Sequence, residues 1–113
     1  MVRENLQQMK AKIFNDYATR VADMFDISED DLFTKSKRRD IVDARQLLYY
    51  ACYKRPMNVI YIQAYLIKRG YEVGHTSILH GIKAVEKRIK NDSDYTDILK
   101  QIHASKPKDN VHS

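Results

Sequence analysis

The chain has 113 residues, of which 43% are apolar, and a formal net charge of +5. This length predicts a single domain with a modest core. No stretch approaches the roughly 18 consecutive apolar residues that a membrane span requires, and residues 1–5 lack the apolar core of a signal peptide. The single cysteine, Cys52, excludes an intrachain disulfide and suits a reducing compartment, so we expect a cytoplasmic protein.

The residue patterns of common enzymes are absent. There is no G-x-x-x-x-G-K-[ST] phosphate loop, which argues against a nucleotide site. The four histidines have neither cysteine partners nor metal-ligand spacing, and no nucleophile lies in a pattern with a base. We therefore expect a protein that is not an enzyme and that uses no cofactor and no metal.

Hydrophobic periodicity predicts an all-α fold, a compact bundle of about five to six helices. The first helix covers residues 3–25, and its apolar side chains recur at steps of three and four. They are Leu6, Met9, Ile13, Tyr17, Val21, Met24 and Phe25. This stripe is expected to pack on its own domain, although it could instead pair with a second copy of the chain. Ser28 followed by Asp31 predicts the cap of a short helix that ends near residues 32–33.

A loop at residues 34–39, which contains no apolar side chain, precedes the next helix. Asp40 is expected to cap that helix, which continues to about residue 54. Its inner side is predicted to consist of Ile41, Ala44, Leu47, Leu48 and Ala51. Pro56 ends it.

The second half of the chain predicts three more helices. Asn58 caps one at residues 59–69, and Gly70 ends it in a left-handed conformation. Residues 71–74 connect it to a helix from residue 75 to about residue 90, with an inner side of Ile78, Leu79, Ile82, Val85 and Ile89. The last helix reaches about residue 103, with Tyr95, Ile98, Leu99 and Ile102 inside.

These elements predict one helical domain over residues 1–104, in which residues 1–16 form an extended N-terminal helix. The tail at 105–113 has little apolar content and is expected to be disordered.

Positive charge is concentrated in the middle of the chain. Residues 35–90 carry thirteen Lys or Arg against four Asp or Glu, a balance of +9. Residues 1–34 and 91–113 have balances of −3 and −1. This distribution predicts that a polyanion would be bound by the middle segment.

The two helices on either side of Gly70 are a helix-turn-helix candidate. In that motif the N-terminal residues of the second helix contact base edges in the major groove. Here His75 and the methyl of Thr76 could contact bases, while Ser77 and the free backbone N–H groups could bind phosphate. The alternative is that Thr76 and Ser77 only cap the helix, as such residues often do.

A basic loop is the second DNA-binding candidate, with the positive charges of Lys35, Lys37, Arg38 and Arg39. A charge run of this kind is ordinarily solvated, but a loop can also lay Arg or Lys into a narrow minor groove. Arg45, in the following helix, could clamp a phosphate or pair with Asp43.

Three motifs follow one another in the chain: VADMFDISEDDL at residues 21–32, KSKRRDIVDARQ at 35–46 and HTSILH at 75–80. In this order they resemble the C-terminal DNA-binding domain of the bacterial replication initiator DnaA, a helical domain of the Trp-repressor-like class. The resemblance extends over residues 17–103. It implies that the basic loop reaches the minor groove and that the helix beginning at His75 reads the major groove.

The resemblance also implies roles for single residues. It places Lys37 at the minor-groove position with Lys35 and Arg39 as backbone neighbours. It places Arg45 and Gln46 near phosphates, His75 and Thr76 on bases, and Ser77 on a phosphate or methyl group. With two further polar candidates from the loop and the helix-turn-helix, the predicted DNA-binding residues are Lys35, Lys37, Arg38, Arg39, Arg45, Gln46, Asn58, His75, Thr76 and Ser77.

The chain departs from the family pattern at three points. Val73 and Gly74 stand where the family carries an Arg-Asp pair, the Asp of which contributes to base reading. The turn at residues 68–74 is longer, and Lys37 replaces a loop arginine, which removes the planar fork of the guanidinium. A target sequence different from the family's usual DNA box is therefore expected.

The function expected from the sequence is that of a standalone protein that binds double-stranded DNA with sequence preference. It would act in replication initiation, its regulation or transcription, in a bacterial or phage cytoplasm, without the initiator's ATPase domain and without a nucleotide or membrane partner.

A second hypothesis is a protein-interaction module that antagonises or recruits a replication factor without reading DNA. The missing Arg-Asp pair and the N-terminal stripe, which could also mediate self-association, favour this hypothesis. The balance of +9 in the middle of the chain opposes it.

Overall fold

The computed structural model describes residues 2–104, with side chains described for 8–103. The described residues form helices and no strand, which confirms the predicted all-α bundle. The helices are α1 (Val2–Phe25), α2 (Glu29–Leu32), α3 (Arg39–Lys54), α4 (Val59–Lys68), α5 (His75–Asn91) and α6 (Asp94–Ala104). The predicted disordered tail lies outside the described residues.

The core is built around α3, which contacts each of the other five helices. Its predicted inner residues are all buried: Ile41, Ala44, Leu47, Leu48 and Ala51. Cys52 is also fully buried, and this burial raises the pKa of its thiol, so Cys52 is a core group rather than a reactive one. Because α3 is central, α2 and α5 both pack against it.

The predicted stripe of α1 is buried only in part. Tyr17 and Val21 lie in the core together with Phe14, Ala18 and Ala22, whereas Met9 is 56% exposed. A helix of 24 residues is about 36 Å long at a rise of 1.5 Å per residue, and at Met9 it has passed the edge of the core.

The start of α3 differs from the expectation. The helix begins at Arg39, one residue before Asp40, and no side chain caps it. The Asp40 carboxylate instead accepts hydrogen bonds from the Arg38 guanidinium at 2.8 and 3.1 Å and from the Ile41 backbone N–H at 2.8 Å. The bonds from Arg38 lower the pKa of Asp40. Because its carboxylate pairs with Arg38, Asp40 does not cap the start of α3.

The turn between α4 and α5 forms as its residues predict. The Asn58 side chain accepts from the Ile60 N–H at 2.9 Å, and Gly70 adopts a φ of 88°. The Tyr71 N–H then closes the end of α4 on the Leu66 carbonyl at 3.0 Å. In α5, Ile78, Ile82 and Val85 are buried as predicted, but Leu79 is 44% exposed because it lies a further 100° around the helix from Ile78.

Gly81 lets α5 approach α3 closely. A Cβ at this position would lie 2.9 Å from Cδ2 of Tyr49 and 3.2 Å from Cγ of Gln46. Tyr49 is buried, so its ring has little room to shift. The contact therefore requires glycine despite its low helix propensity.

We expect Gly81→Ala to lower the free energy of unfolding by about 1–3 kcal/mol, because overpacking outweighs a gain of about 1 kcal/mol in helix propensity. Urea denaturation followed by circular dichroism measures this. Gly74→Ala is the control for the added methyl, since a Cβ there meets nothing within 4 Å, and it should cost only the difference of roughly 0.5 kcal/mol between glycine and alanine at an N-cap. Equal stability of the two variants would contradict the close approach.

Candidate nucleic-acid interface

The basic loop, residues 34–39, lies against the connection that precedes α5. The Lys35 ammonium donates to the Glu72 carbonyl at 2.6 Å and lies 4.6 Å from the centre of the Tyr71 ring. These contacts join segments that are 37 residues apart in the chain. The two predicted DNA-binding elements, the loop and the start of α5, therefore form one surface.

Arg45 is buried and holds the beginning of the basic loop. Its Nε donates to the Leu32 carbonyl at 2.9 Å and its Nη2 to the Thr34 carbonyl at 2.6 Å. Its Cζ lies 4.6 Å from the centre of the Tyr71 ring. The alternative partner considered for Arg45, Asp43, instead forms an ion pair with Arg88 at 3.2 Å. Arg45 therefore fixes the backbone at the start of the basic loop.

Tyr71 connects the parts of this surface. Its ring lies beside the cations of both Lys35 and Arg45, and Tyr49 is a close neighbour. Burial, and then the neighbouring Tyr71, raises the pKa of Tyr49. The sequence reasoning did not identify Tyr71. The available signal was that it is the aromatic residue of the connection at 71–74.

The first turn of α5 is exposed and carries no side-chain cap. Gly74 occupies the N-cap position, and His75, Thr76 and Ser77 are all exposed. No residue of the described chain bonds to the hydroxyls of Thr76 or Ser77, so the capping alternative does not account for them here. The positive end of a 17-residue helix thus coincides with three free polar side chains.

A cleft of about 310 Å³ separates α3 from α5. It is lined by Gln46 on one side and by Thr76, Ser77 and His80 on the other. The side-chain oxygen of Gln46 is buried and has no hydrogen-bond partner among the described residues. The structure therefore brings residues 44–46 of α3 and residues 75–77 of α5 together at this cleft.

The remaining candidates differ in how free their charges are. Lys37 and Arg39 are exposed and have no ion-pair partner in the described part of the chain. Arg38 is exposed and paired with Asp40. Asn58, which caps α4, lies in a separate surface hollow beside Met57 and is not part of the cleft. The structure thus groups the loop, α3 and α5 candidates but leaves Asn58 apart.

Metal ligands and membrane-spanning helices are both missing from the part of the chain that the structure describes. No group of three or more His, Cys, Asp or Glu side chains there could hold a metal ion. None of the described helices is both long enough and apolar enough to cross a bilayer.

The arrangement is that of a helix-turn-helix domain with an accessory basic loop. Two curated proteins that are similar to this chain are chromosomal replication initiator proteins DnaA. That of Flavobacterium psychrophilum is 27% identical over 107 residues, which cover 91% of this chain and 21% of that protein. That of Limosilactobacillus reuteri is 31% identical over 88 residues, which cover 75% of this chain and 19% of that protein.

The DnaA resemblance expected from the motifs is confirmed by these relatives, and the chain is DnaA-like over most of its length. It spans about a fifth of the length of the curated relatives that it matches. No protein-family model matches the chain, and no solved structure matches it significantly.

We expect Tyr71→Leu to lower the free energy of unfolding by about 2 kcal/mol, since it removes two cation–π contacts and the packing of a buried aromatic ring. Chemical denaturation measures this. Tyr71→Phe retains the ring and should lose only part of that amount. Tyr53→Leu, at a 40% exposed tyrosine, is the control and should change stability by less than about 0.5 kcal/mol. Equal stabilities of Tyr71→Leu and Tyr53→Leu would show that the ring contacts contribute nothing.

Proposed function

We propose that this chain binds double-stranded DNA with sequence preference through the start of α5 and the basic loop. The observation that carries the proposal is the exposed, uncapped His75-Thr76-Ser77 helix start held next to a cationic loop. A helix N-terminus with free N–H groups and short polar side chains suits base edges and phosphates together. The adjoining cations supply the attraction to the backbone that dominates affinity.

In the proposed complex, His75 and Thr76 contact base edges in the major groove, and Ser77 binds phosphate. Lys37 enters the minor groove, while Lys35, Arg38 and Arg39 contact the backbone. Gln46 is a further phosphate contact, whereas Asn58, which caps α4 outside the cleft, has no assigned contact in this complex. Arg45 contributes by holding the loop, because its Nε and Nη2 donate to the backbone carbonyls of Leu32 and Thr34.

The proposed setting follows from the relatives, which are named chromosomal replication initiators. We place the chain in replication initiation, its regulation or transcription, in a bacterial or phage cytoplasm. The proposed role is non-catalytic and involves neither a nucleotide nor a membrane.

The departure at Val73 and Gly74 bears on which DNA is preferred. Val73 is half-buried and its carbonyl accepts from Gln63 at 2.8 Å, while Gly74 has no side chain to offer. In this proposal base reading rests on α5 itself, and the preferred site differs from the family's usual box.

The double variant Lys37→Ala/Arg38→Ala should weaken binding to every duplex sequence. It should also reduce the slope of log affinity against log salt concentration by about 0.9 for each phosphate that is no longer neutralised. Fluorescence anisotropy over a salt series measures the slope. Lys12→Ala/Lys100→Ala removes the same charge from α1 and α6 and should leave the slope unchanged. An unchanged slope in the loop variant would remove the loop from the interface.

His75→Ala should reduce the difference in binding free energy between a selected duplex and a random one by about 1–3 kcal/mol, because the variant has no ring to bond a base edge. Selection from random duplexes supplies the preferred sequence, and competition binding measures the difference. Thr96→Ala, at an exposed position of α6, is the control. Full discrimination by His75→Ala would reject α5 as the reading helix.

The second candidate, a protein-interaction module, is favoured by exposed apolar side chains on α1 and α4. Met9, Ile60 and Ile67 are 56%, 59% and 45% exposed. A shift assay with random duplex at about 50 and 200 mM salt separates the candidates, since phosphate-driven binding is strongest at low salt. No binding at the lower salt would reject the DNA proposal and favour the interaction module.

A further inference from the structure

The exposed side of α5 continues beyond its first turns as a row of cations. Thr76, His80, Lys83, Lys87 and Lys90 follow one another at steps of four and three residues. At 100° per residue these five positions fall within a sector of about 80°. All five side chains are exposed. The row therefore begins at the proposed reading residues and extends nearly to the end of the helix.

This row carries charge of a single sign. Glu86, the acidic residue of α5, lies outside the sector of about 80°, about 40° around the helix from Lys90 and about 60° from Lys83. Among the described residues, none of the three lysines of the row forms an ion pair. The neighbouring α6 is different, since its exposed positions mix Asp94, Asp97 and Lys100. An ordinary solvated face is mixed in this way, whereas a row of unpaired lysines suits a polyanion.

An exposed apolar side chain borders the same row. Leu79 is 44% exposed and lies about 60° around the helix from Thr76, between the levels of Thr76 and Lys83. Apolar side chains on a DNA-facing helix can contact thymine methyl groups. Leu79 is therefore accounted for if the outer face of α5 stays near the bases past its first turn.

We propose that Lys83 and Lys87 bind DNA phosphates and that α5 lies along the major groove instead of entering it end-on. This inference rests on the proposed function. Lys87 is 11 residues beyond Thr76, or about 16 Å along the helix axis, whereas the groove is about 8.5 Å deep. An end-on helix would carry Lys87 out of the groove. A helix along the groove keeps both lysines beside a phosphate strand.

The test compares two double variants that remove the same charge. Lys83→Gln/Lys87→Gln should reduce the slope of log affinity against log salt by about 1.8, which corresponds to two phosphate contacts. Lys54→Gln/Lys100→Gln, at exposed positions on α3 and α6, should retain the wild-type slope. Circular dichroism confirms that each variant is folded. A wild-type slope in Lys83→Gln/Lys87→Gln would overturn the inference and support end-on entry.

Lysine acetylation of the wild-type chain, read by mass spectrometry with and without duplex, gives an independent measurement. Lys83 and Lys87 should become protected by the duplex, whereas Lys100 should stay reactive. Binding of duplex without protection of Lys83 and Lys87 overturns this inference alone. A wild-type chain that binds no duplex at low salt overturns the proposed function as well.

Discussion

The buried ring of Tyr71 is the constraint on which the candidate interface depends. Two cations, Lys35 and Arg45, each lie 4.6 Å from its centre, and Tyr49 lines the same cleft beside it. Through these contacts the basic loop, α3 and the connection before α5 hold a common geometry. Cation–π contacts are stronger when desolvated, and Tyr71 is only 9% exposed. The loop therefore has an anchor that its own polar sequence does not supply.

The close approach of α5 to α3 at Gly81 is the second constraint. It brings Gln46 to one wall of the cleft and Thr76 to the other. A loop and a helix held by one core can meet two grooves of a duplex without first being ordered. Such preorganisation reduces the entropic cost of binding, so that contact energy appears as affinity.

Local signals predicted most of the fold, whereas long-range contacts decided the details of the site. Asn58 and Gly70 act on neighbours within a few residues, so their roles followed from residue type alone. Arg45 bonds to carbonyls 11 and 13 residues away, and Lys35 to one 37 residues away, and no periodicity shows such partners. Leu79 and Met9 were misassigned because periodicity shows that a helix has an apolar side but not where its burial ends.

The connection at residues 71–74 makes structural contacts, and Val73 and Gly74 stand where the DnaA family carries an Arg-Asp pair. Its residues hold other elements: the Tyr71 ring holds two cations, the Glu72 carbonyl binds Lys35 and the Val73 carbonyl binds Gln63. Gly74 starts α5 without a side chain. If each base-edge contact contributes about 1–3 kcal/mol, a chain with fewer such contacts discriminates less strongly between sequences. Its affinity then depends more on phosphate contacts and is more sensitive to salt. The cations of the loop and of α5 are where that dependence would reside.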